Sequence, residues 1–399
     1  MKILQVSHRV PFPLNEGGTI GIYNYTRGFS EAGHEVTLIT LNGTKHRIDK
    51  KAALNELSKY AKVHLFDINT NLNPISAFLN LFTTKSYNAS RFYSEKFKKL
   101  LKNILLADSF DIIQVEGTFV AMYCDVVRQN SKAPIILRQH NVEYQIWQRL
   151  ATNEKKSLKQ WYLTLLAKRL KAFEKEILNK FDALVPVTID DGILFKNLGC
   201  TKPIFVSPAG IDTAYWQPSI NANPFHVFHL GSLEWMPNVE AVLWFIKEVW
   251  PLILAIDKRF KLFIAGKNMP DFLRKMQIEN VIMAGEVDDA YDFVKDKAIT
   301  VVPLLSGSGI RLKILEAMAA SKLVISTSVG AQGIDYINGK HLLIADKPEE
   351  FVNYFMAISS NSEIFNSVRQ NGVELIRSKY ANQAVIQNLL DFYADIKLK

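Results

Sequence analysis

Residues 298–320 read AITVVPLLSGSGIRLKILEAMAA, and the order of residue types within them decides the fold. The run 299–303 is β-branched and apolar, the composition of a strand buried on both faces. A loop carrying Gly307 and Gly309 follows, and a helical pattern occupies 311–320. Strand, glycine loop and helix in that order form half of a βαβ unit, which implies a parallel sheet. The glycines let backbone N–H groups approach a ligand, and a helix N-terminus favours negative charge. The stretch is therefore built like a pyrophosphate cradle. Gly309, Lys313 and Glu316 share one helical face by their spacing, and a carboxylate at Glu316 is suited to accept from both ribose hydroxyls. A plain strand–turn–helix with a solvated Glu fits the same residues, so both readings stand at this point.

The same alternation extends in both directions. Upstream, strands are expected at 227–230, 262–265 and 281–284, and downstream at 323–327 and 342–345, with helices at 239–254 and 311–320 between them. Before residue 207 a second set appears. Its strands are expected at 3–6, 35–41, 63–66, 112–115, 135–138, 183–187 and 204–206, alternating with helices such as 94–106 and 158–179. Between the sets lies SPAGIDTAYWQPSINANP, rich in Pro, Gly and Asn, which reads as a linker over 208–224. The expectation is an α/β protein of two doubly wound domains, 1–207 and 225–380, with a last helix at 382–399 returning to the first domain. Two such sheets facing each other would open a cleft at the carboxyl ends of their strands, where ligands bind in folds of this kind.

Composition excludes several classes of function. Two cysteines, Cys124 and Cys200, rule out a disulfide framework and suit a reducing cytosol. With so few Cys and scattered His, no zinc site is expected, and no Asp-x-Asp motif occurs. The apolar runs 75–82 and 161–166 are far too short to span a bilayer. The net charge of +9 is uneven: residues 1–207 hold 29 Lys and Arg against 18 Asp and Glu, while the remainder holds 19 against 21. A basic first half suggests an anionic partner there. The segment 153–180 concentrates eight Lys and Arg against three Glu, with aromatic residues interleaved. It reads as a packed helix with a solvated charged face, or as a contact with an anionic membrane surface. No DNA or RNA module is recognisable, so nucleic acid is not expected as a partner.

The segment 298–320 also resembles the signature helix of the retaining glycosyltransferase family 4, in which a Glu, seven residues and a second Glu lead into Ala-Met-Ala. Glu316 matches the second Glu; Ser308 stands at the first. The sub-pattern G-x-G-x-R-x-K-x-L-E-A is familiar in enzymes of bacterial surface polysaccharides from that family. PFPLNEGG (11–18), GHEVTLIT (33–40), SPAGIDTAYWQP (207–218), HLGSLEWMPNVEAVLWF (229–245) and GKHLLIADKPEEF (339–351) resemble further family segments in the right order. The resemblance implies a GT-B fold and transfer of a hexosyl group, with retention, from a UDP- or GDP-linked sugar to a glycan or lipid-linked glycan. It implies a cytoplasmic enzyme without a metal or other cofactor.

Carried onto this chain, the resemblance assigns donor contacts to Gly17, Gly18, Gly231, Ser232, Trp235, Asn238, Gly266, Gly307, Ser308, Gly309, Ile310, Leu312 and Glu316. His140, in RQHNVEY after a strand, resembles a group that hydrogen-bonds the transferred sugar. Asn141 and Glu143 shape the same loop on the acceptor side, and Glu116, in QVEGTF after another strand, orients the acceptor or fills the loop. Many relatives place an Arg and a Lys just after the second domain's first strand; residues 231–238 contain no cation. A departing nucleoside diphosphate needs positive charge or a metal, so Lys313, Arg311 or both are expected to replace the missing pair. A non-catalytic sugar-nucleotide-binding subunit and a nucleotide-sugar epimerase of the same fold are the rival readings.

Overall fold

The computed structural model describes residues 1–14, 17–219, 221–307 and 309–398. It contains twelve named strands: β1 (Lys2–Ser7), β2 (Glu35–Gly43), β3 (Lys62–Ile68), β4 (Ile112–Glu116), β5 (Ile135–Gln139) and β6 (Ala183–Pro186), then β7 (Asn223–Leu230), β8 (Lys261–Ala265), β9 (Val281–Gly285), β10 (Lys297–Val302), β11 (Leu323–Ser326) and β12 (Leu343–Ile344). They form two six-stranded sheets, ordered β3-β2-β1-β4-β5-β6 and β12-β11-β10-β7-β8-β9. Every named pairing is parallel. With helices interleaved between the strands, these are two Rossmann-like domains.

Both faces of each sheet are covered, and successive strand residues divide between them. In β1, Leu4 and Val6 enter one core cluster and Ile3 another. In β10, Ile299 and Val301 enter one cluster and Val302 another. This is why the strands read as nearly continuous apolar runs. Residues 204–206, expected as a strand, run along β6 as a short edge segment: Ile204 bridges Leu184, Leu184 N–H donates to the Pro203 carbonyl at 2.9 Å, and Phe205 and Ser207 N–H donate to the carbonyls of Leu184 and Pro186 at 3.0 and 2.9 Å.

The chain divides into two compact units, Met1–Gly210 with Val385–Lys399, and Ile211–Ala384. Of the segment read as a linker, residues 208–210 stay with the first unit and the part from Ile211 on is built into the second, with Ile211 and Trp216 buried in one of its cores. The final helix, Asn382–Lys397, buries Val385, Ile386, Leu389, Leu390, Tyr393 and Ile396 against Ile3, Tyr25 and Phe29 in the first unit. Gly28 admits this approach: a Cβ there would collide with Ile386. Among the described residues, no helix is long and apolar enough to cross a membrane.

Candidate active site

In the first unit, strand register brings a polar group together at the carboxyl ends of three neighbouring strands. Ser7 of β1 pairs with Glu116 of β4, and Glu116 pairs with Arg138 of β5. Side chains in register on parallel strands point to the same face, and residues two apart on one strand do so as well. Gln114, Glu116, Arg138 and His140 therefore converge. Arg138 donates from Nη1 to Glu116 Oε2 at 3.0 Å, and His140 Nε2 lies 2.7 Å from the same oxygen. Gln114 donates to the other carboxylate oxygen, as does Gln5 at 3.3 Å. The Arg138 guanidinium also lies 3.8 Å from the centre of the Tyr25 ring.

Glu116 is fully buried. Burial alone would raise its carboxyl, but Arg138, His140 and Gln114 overcome that and hold it at about 2. Arg138 Nη1 also lies 3.0 Å from Nε2, but the shorter contact is to an ionised carboxylate that only accepts, which assigns the proton to Nε2 and leaves Nδ1 bare. Burial lowers the imidazole below its ordinary range and Arg138 adds to this, against the pull of Glu116. His140 is thus a neutral acceptor with a fixed tautomer. Of the two readings of Glu116, orienting the acceptor or filling the loop, its lack of exposed surface leaves no direct contact with an acceptor, and its carboxylate is bonded to His140 instead.

Gly18 lies beside this group, its missing Cβ 3.5 Å from Arg9 Nη1 and 3.9 Å from His140 Nδ1, whereas Gly17 has open space around it. Asn141 is exposed, and Glu143 is half-buried at the start of the helix Glu143–Asn153. Burial pushes the Glu143 carboxyl up to about 7. The N-terminus of that helix is held by a residue the sequence did not single out. Glu174, buried on the helix Ser157–Ile177, accepts from the backbone N–H groups of Glu143 and Tyr144 at 3.1 and 2.9 Å.

In the second unit the helix expected from Arg311 begins at Leu312 and runs to Ala319. Arg311 is its N-cap, extended at φ −95° and ψ 94°. Gly309 lies before the helix at φ +84°, so it does not share the face of Lys313 and Glu316 as its spacing suggested. Arg311 turns back: Nη1 donates to the Gly309 carbonyl at 2.6 Å, and its guanidinium lies 5.3 Å from the Trp235 ring centre. A Cβ at Gly307 would strike both Arg311 and Trp235. Ser308 lies outside the described residues.

Lys313 points to the loop after β7. Its Nζ donates to Asn238 Oδ1 at 2.8 Å and lies 3.4 Å from His229 Nε2. Asn238 is fixed in turn by donating to the Ser232 carbonyl at 2.7 Å. His229, also missed from sequence, donates from Nδ1 to the Val301 carbonyl at 3.0 Å and is buried. Its pKa lies well below the ordinary value, because it is buried and because Lys313 is near. The bare Nε2 therefore faces the ammonium. A Cβ on Gly231 would come within 2.8 Å of Lys313 Nζ, so the glycine is what leaves room for this cation beside the strand end.

Among the described residues, no carboxylate lies within ion-pair distance of Lys313. Burial, with Arg311 nearby, brings its ammonium down to about 7, while burial raises Glu316 to about 7. Glu316 pulls on the Lys313 ammonium only from beyond ion-pair distance, and a cation so placed makes a site suited to a diphosphate.

Three expected donor contacts have other uses for their side-chain positions. Gly266 lacks a Cβ because the Gly231 carbonyl occupies that space. Ile310 and Leu312 pack their side chains against a core cluster, which leaves only their backbones for a ligand. Among the described residues, no three His, Cys, Asp or Glu side chains gather in a way that could hold a metal ion.

Comparison with known proteins agrees with this architecture. A family model described as Glycosyltransferase Family 4 matches residues 16–215, and one described as Glycosyl transferases group 1 matches residues 224–361. An uncharacterised 44.6 kDa protein in the cps region of Klebsiella pneumoniae is 25% identical, covering 97% of this chain and 98% of its own. Among solved structures, HepE of Anabaena in complex with UDP has a TM-score of 0.65 at 10% identity, covering 99% of this chain and 100% of that one. A glycosyltransferase from Rickettsia africae has a TM-score of 0.65 at 17% identity, covering 99% and 98%. Their likeness is one of fold, the GT-B arrangement of two Rossmann-like domains. The chain belongs to glycosyltransferase family 4.

Proposed function

We propose that this glycosyltransferase moves a hexosyl group from a UDP- or GDP-sugar to a glycan or lipid-linked glycan, with retention and without a metal. The observation that carries the reading is the ammonium of Lys313, aimed at the loop after β7 by Asn238 and His229 with no carboxylate at ion-pair distance among the described residues. Lys313 and Arg311 stabilise the departing diphosphate, and Glu316 accepts from the ribose hydroxyls. His140, its Nε2–H tied to Glu116, offers Nδ1 to a hydroxyl of the transferred sugar. In front-face displacement the bond from the anomeric carbon to the phosphate oxygen breaks as the acceptor oxygen bonds to the same face. The leaving phosphate takes the acceptor's proton. The UDP bound to HepE supports the donor class, and the cps-region relative supports a role in surface polysaccharide synthesis; a cytoplasmic site of action is part of the same proposal.

The test is binding and turnover of a panel of UDP- and GDP-sugars in the presence of EDTA, for wild type and Lys313→Ala. One donor turned over without metal, and much more slowly by the variant, is the expected result. Binding without turnover, even with lipid-linked acceptors added, would favour a non-catalytic subunit. Absence of any nucleotide-sugar binding would overturn the proposal.

A further inference from the structure

The short helix Pro74–Asn80 has no buried residue. Along and beside it, Leu72 and Ile75 are each 71% exposed, Phe78 60%, Leu79 59% and Phe82 77%. An isolated helix of seven residues is marginal in water, and in most proteins an apolar face is what holds such a helix in place. Here polar contacts at its two ends do so instead. Asn73 caps the backbone N–H groups of Ile75 and Ser76 at 2.9 and 3.1 Å, and the Tyr87 hydroxyl bridges the Asn73 N–H and carbonyl at 3.0 and 3.1 Å. At the other end, Arg169 donates to the carbonyls of Asn80 and Leu81 at 2.8 and 3.0 Å, and to the Asn80 side chain at 2.9 Å. The fold grips the backbone and turns the apolar side chains outward.

Arg169 belongs to the helix Ser157–Ile177, so the two helices are tied together. On the first turns of that longer helix, Leu158 is 83% exposed and Trp161 58%. Trp161 and Lys168 are seven residues apart and share a face. The surroundings are cationic. No Asp or Glu occurs between Asp67 and Glu95, while Lys85 and Arg91 do. Of the three Glu in 153–180, Glu174 is buried and Glu154 is paired with Lys159 at 2.5 Å. Lys155, Lys156 and Lys168 are exposed on the same segment as Leu158 and Trp161, and Lys85 is exposed just after Phe82. Apolar side chains framed by lysines are the composition of an interfacial anchor.

We propose that the segment 72–82, with Leu158 and Trp161, is a docking face that inserts into the headgroup region of an anionic lipid bilayer. Two copies of this chain meeting on that face would oppose lysine to lysine, which disfavours self-association; phosphate headgroups complement it. The inference does not rest on the donor assignment, since vesicle binding and sugar transfer are measured separately.

The experiment is co-sedimentation of the full chain with vesicles of phosphatidylcholine alone and of phosphatidylcholine mixed with phosphatidylglycerol. Wild type should bind the mixed vesicles and release with salt. Phe78→Ser with Phe82→Ser should weaken binding by about a hundredfold, roughly tenfold for each ring withdrawn. Lys155→Glu with Lys168→Glu should abolish the preference for anionic lipid. Both variants should melt like wild type, since the changed side chains are exposed. Failure of wild type to bind mixed vesicles, equal binding by the Phe variant, or a dimer in light scattering that the Phe variant dissolves would each overturn the proposal.

Discussion

The two sites treat buried charge in opposite ways. In the first unit the charges of Glu116 and Arg138 meet inside the fold, and the surplus interaction holds one neutral imidazole, that of His140. In the second unit Lys313 is crowded by protein and supported by an amide and an imidazole, neither of which neutralises it. A compensated cluster gives rigidity and a fixed tautomer. An uncompensated one gives affinity for an anion that arrives from outside. The chemistry each site can perform follows from that difference more than from the number of polar residues in it.

The comparison is most severely tested at Glu116. Replacing it by Gln leaves Arg138 buried without its anion, and breaking such a pair costs about 3–5 kcal/mol. Denaturant unfolding of Glu116→Gln should show this loss. The acid behaviour should change with it. A carboxyl at about 2 when folded and about 4.3 when unfolded stabilises the protein above the higher value. That contribution disappears as pH falls towards the lower one, and the variant should lack this component. An unchanged midpoint would mean that the first site is not held by its ion pair.

In the second unit stability should hardly move and chemistry should. Removing a group that stabilises leaving-group charge typically costs about 10² to 10³ in kcat, and Lys313→Ala is expected in that range in a steady-state transfer assay. If Lys313→Ala were as active as wild type, Arg311 alone would carry the role. A smaller effect sharpens the same point. With the Lys313 ammonium at about 7, its protonated fraction falls about tenfold per pH unit above that value. Nucleotide diphosphate affinity should fall on the alkaline side of 7 and binding should take up a proton. Calorimetry in buffers of different ionisation enthalpy reads this directly, and proton-neutral binding at pH 8 would contradict it. The smallest effect belongs to His229→Gln, which loosens the aim of Lys313 by about one hydrogen bond, roughly 1 kcal/mol, or a several-fold drop in kcat/KM with the fold retained.

What could be read from the residues differs between the sites for a physical reason. Gly307, Gly309, Lys313 and Glu316 lie within ten residues, and their types alone mark a strand–loop–helix that is a candidate anion cradle. Asn238 and Lys313 are 75 positions apart, and only resemblance placed both near a donor. His229 sits in a strand that looks apolar, and its use depends on Val301 and Lys313 coming to either side of the ring. Arg138 and Gln114 left a weaker mark, since polar residues two apart in otherwise apolar strands, at their carboxyl ends, suggest a buried polar column. Glu174 left none: it lies in a helix full of charges, and only burial separates it from its neighbours.

By itself the sequence determined that the chain forms two parallel α/β sheets, because alternating apolar runs and amphipathic segments bury their surface in few other ways. It also marked the glycine-rich helix start as a candidate anion site beside the plain-turn reading, because that pattern is local. The tertiary structure alone decided that Glu116 serves His140, that Arg311 leaves the helix for Trp235, and that Lys313 is aimed by Asn238 and His229. It also decided that the helix Pro74–Asn80 turns its apolar side chains to the outside. Each of these depends on strand register or on contacts between distant segments, and free energies of that kind are settled only when the chain has packed.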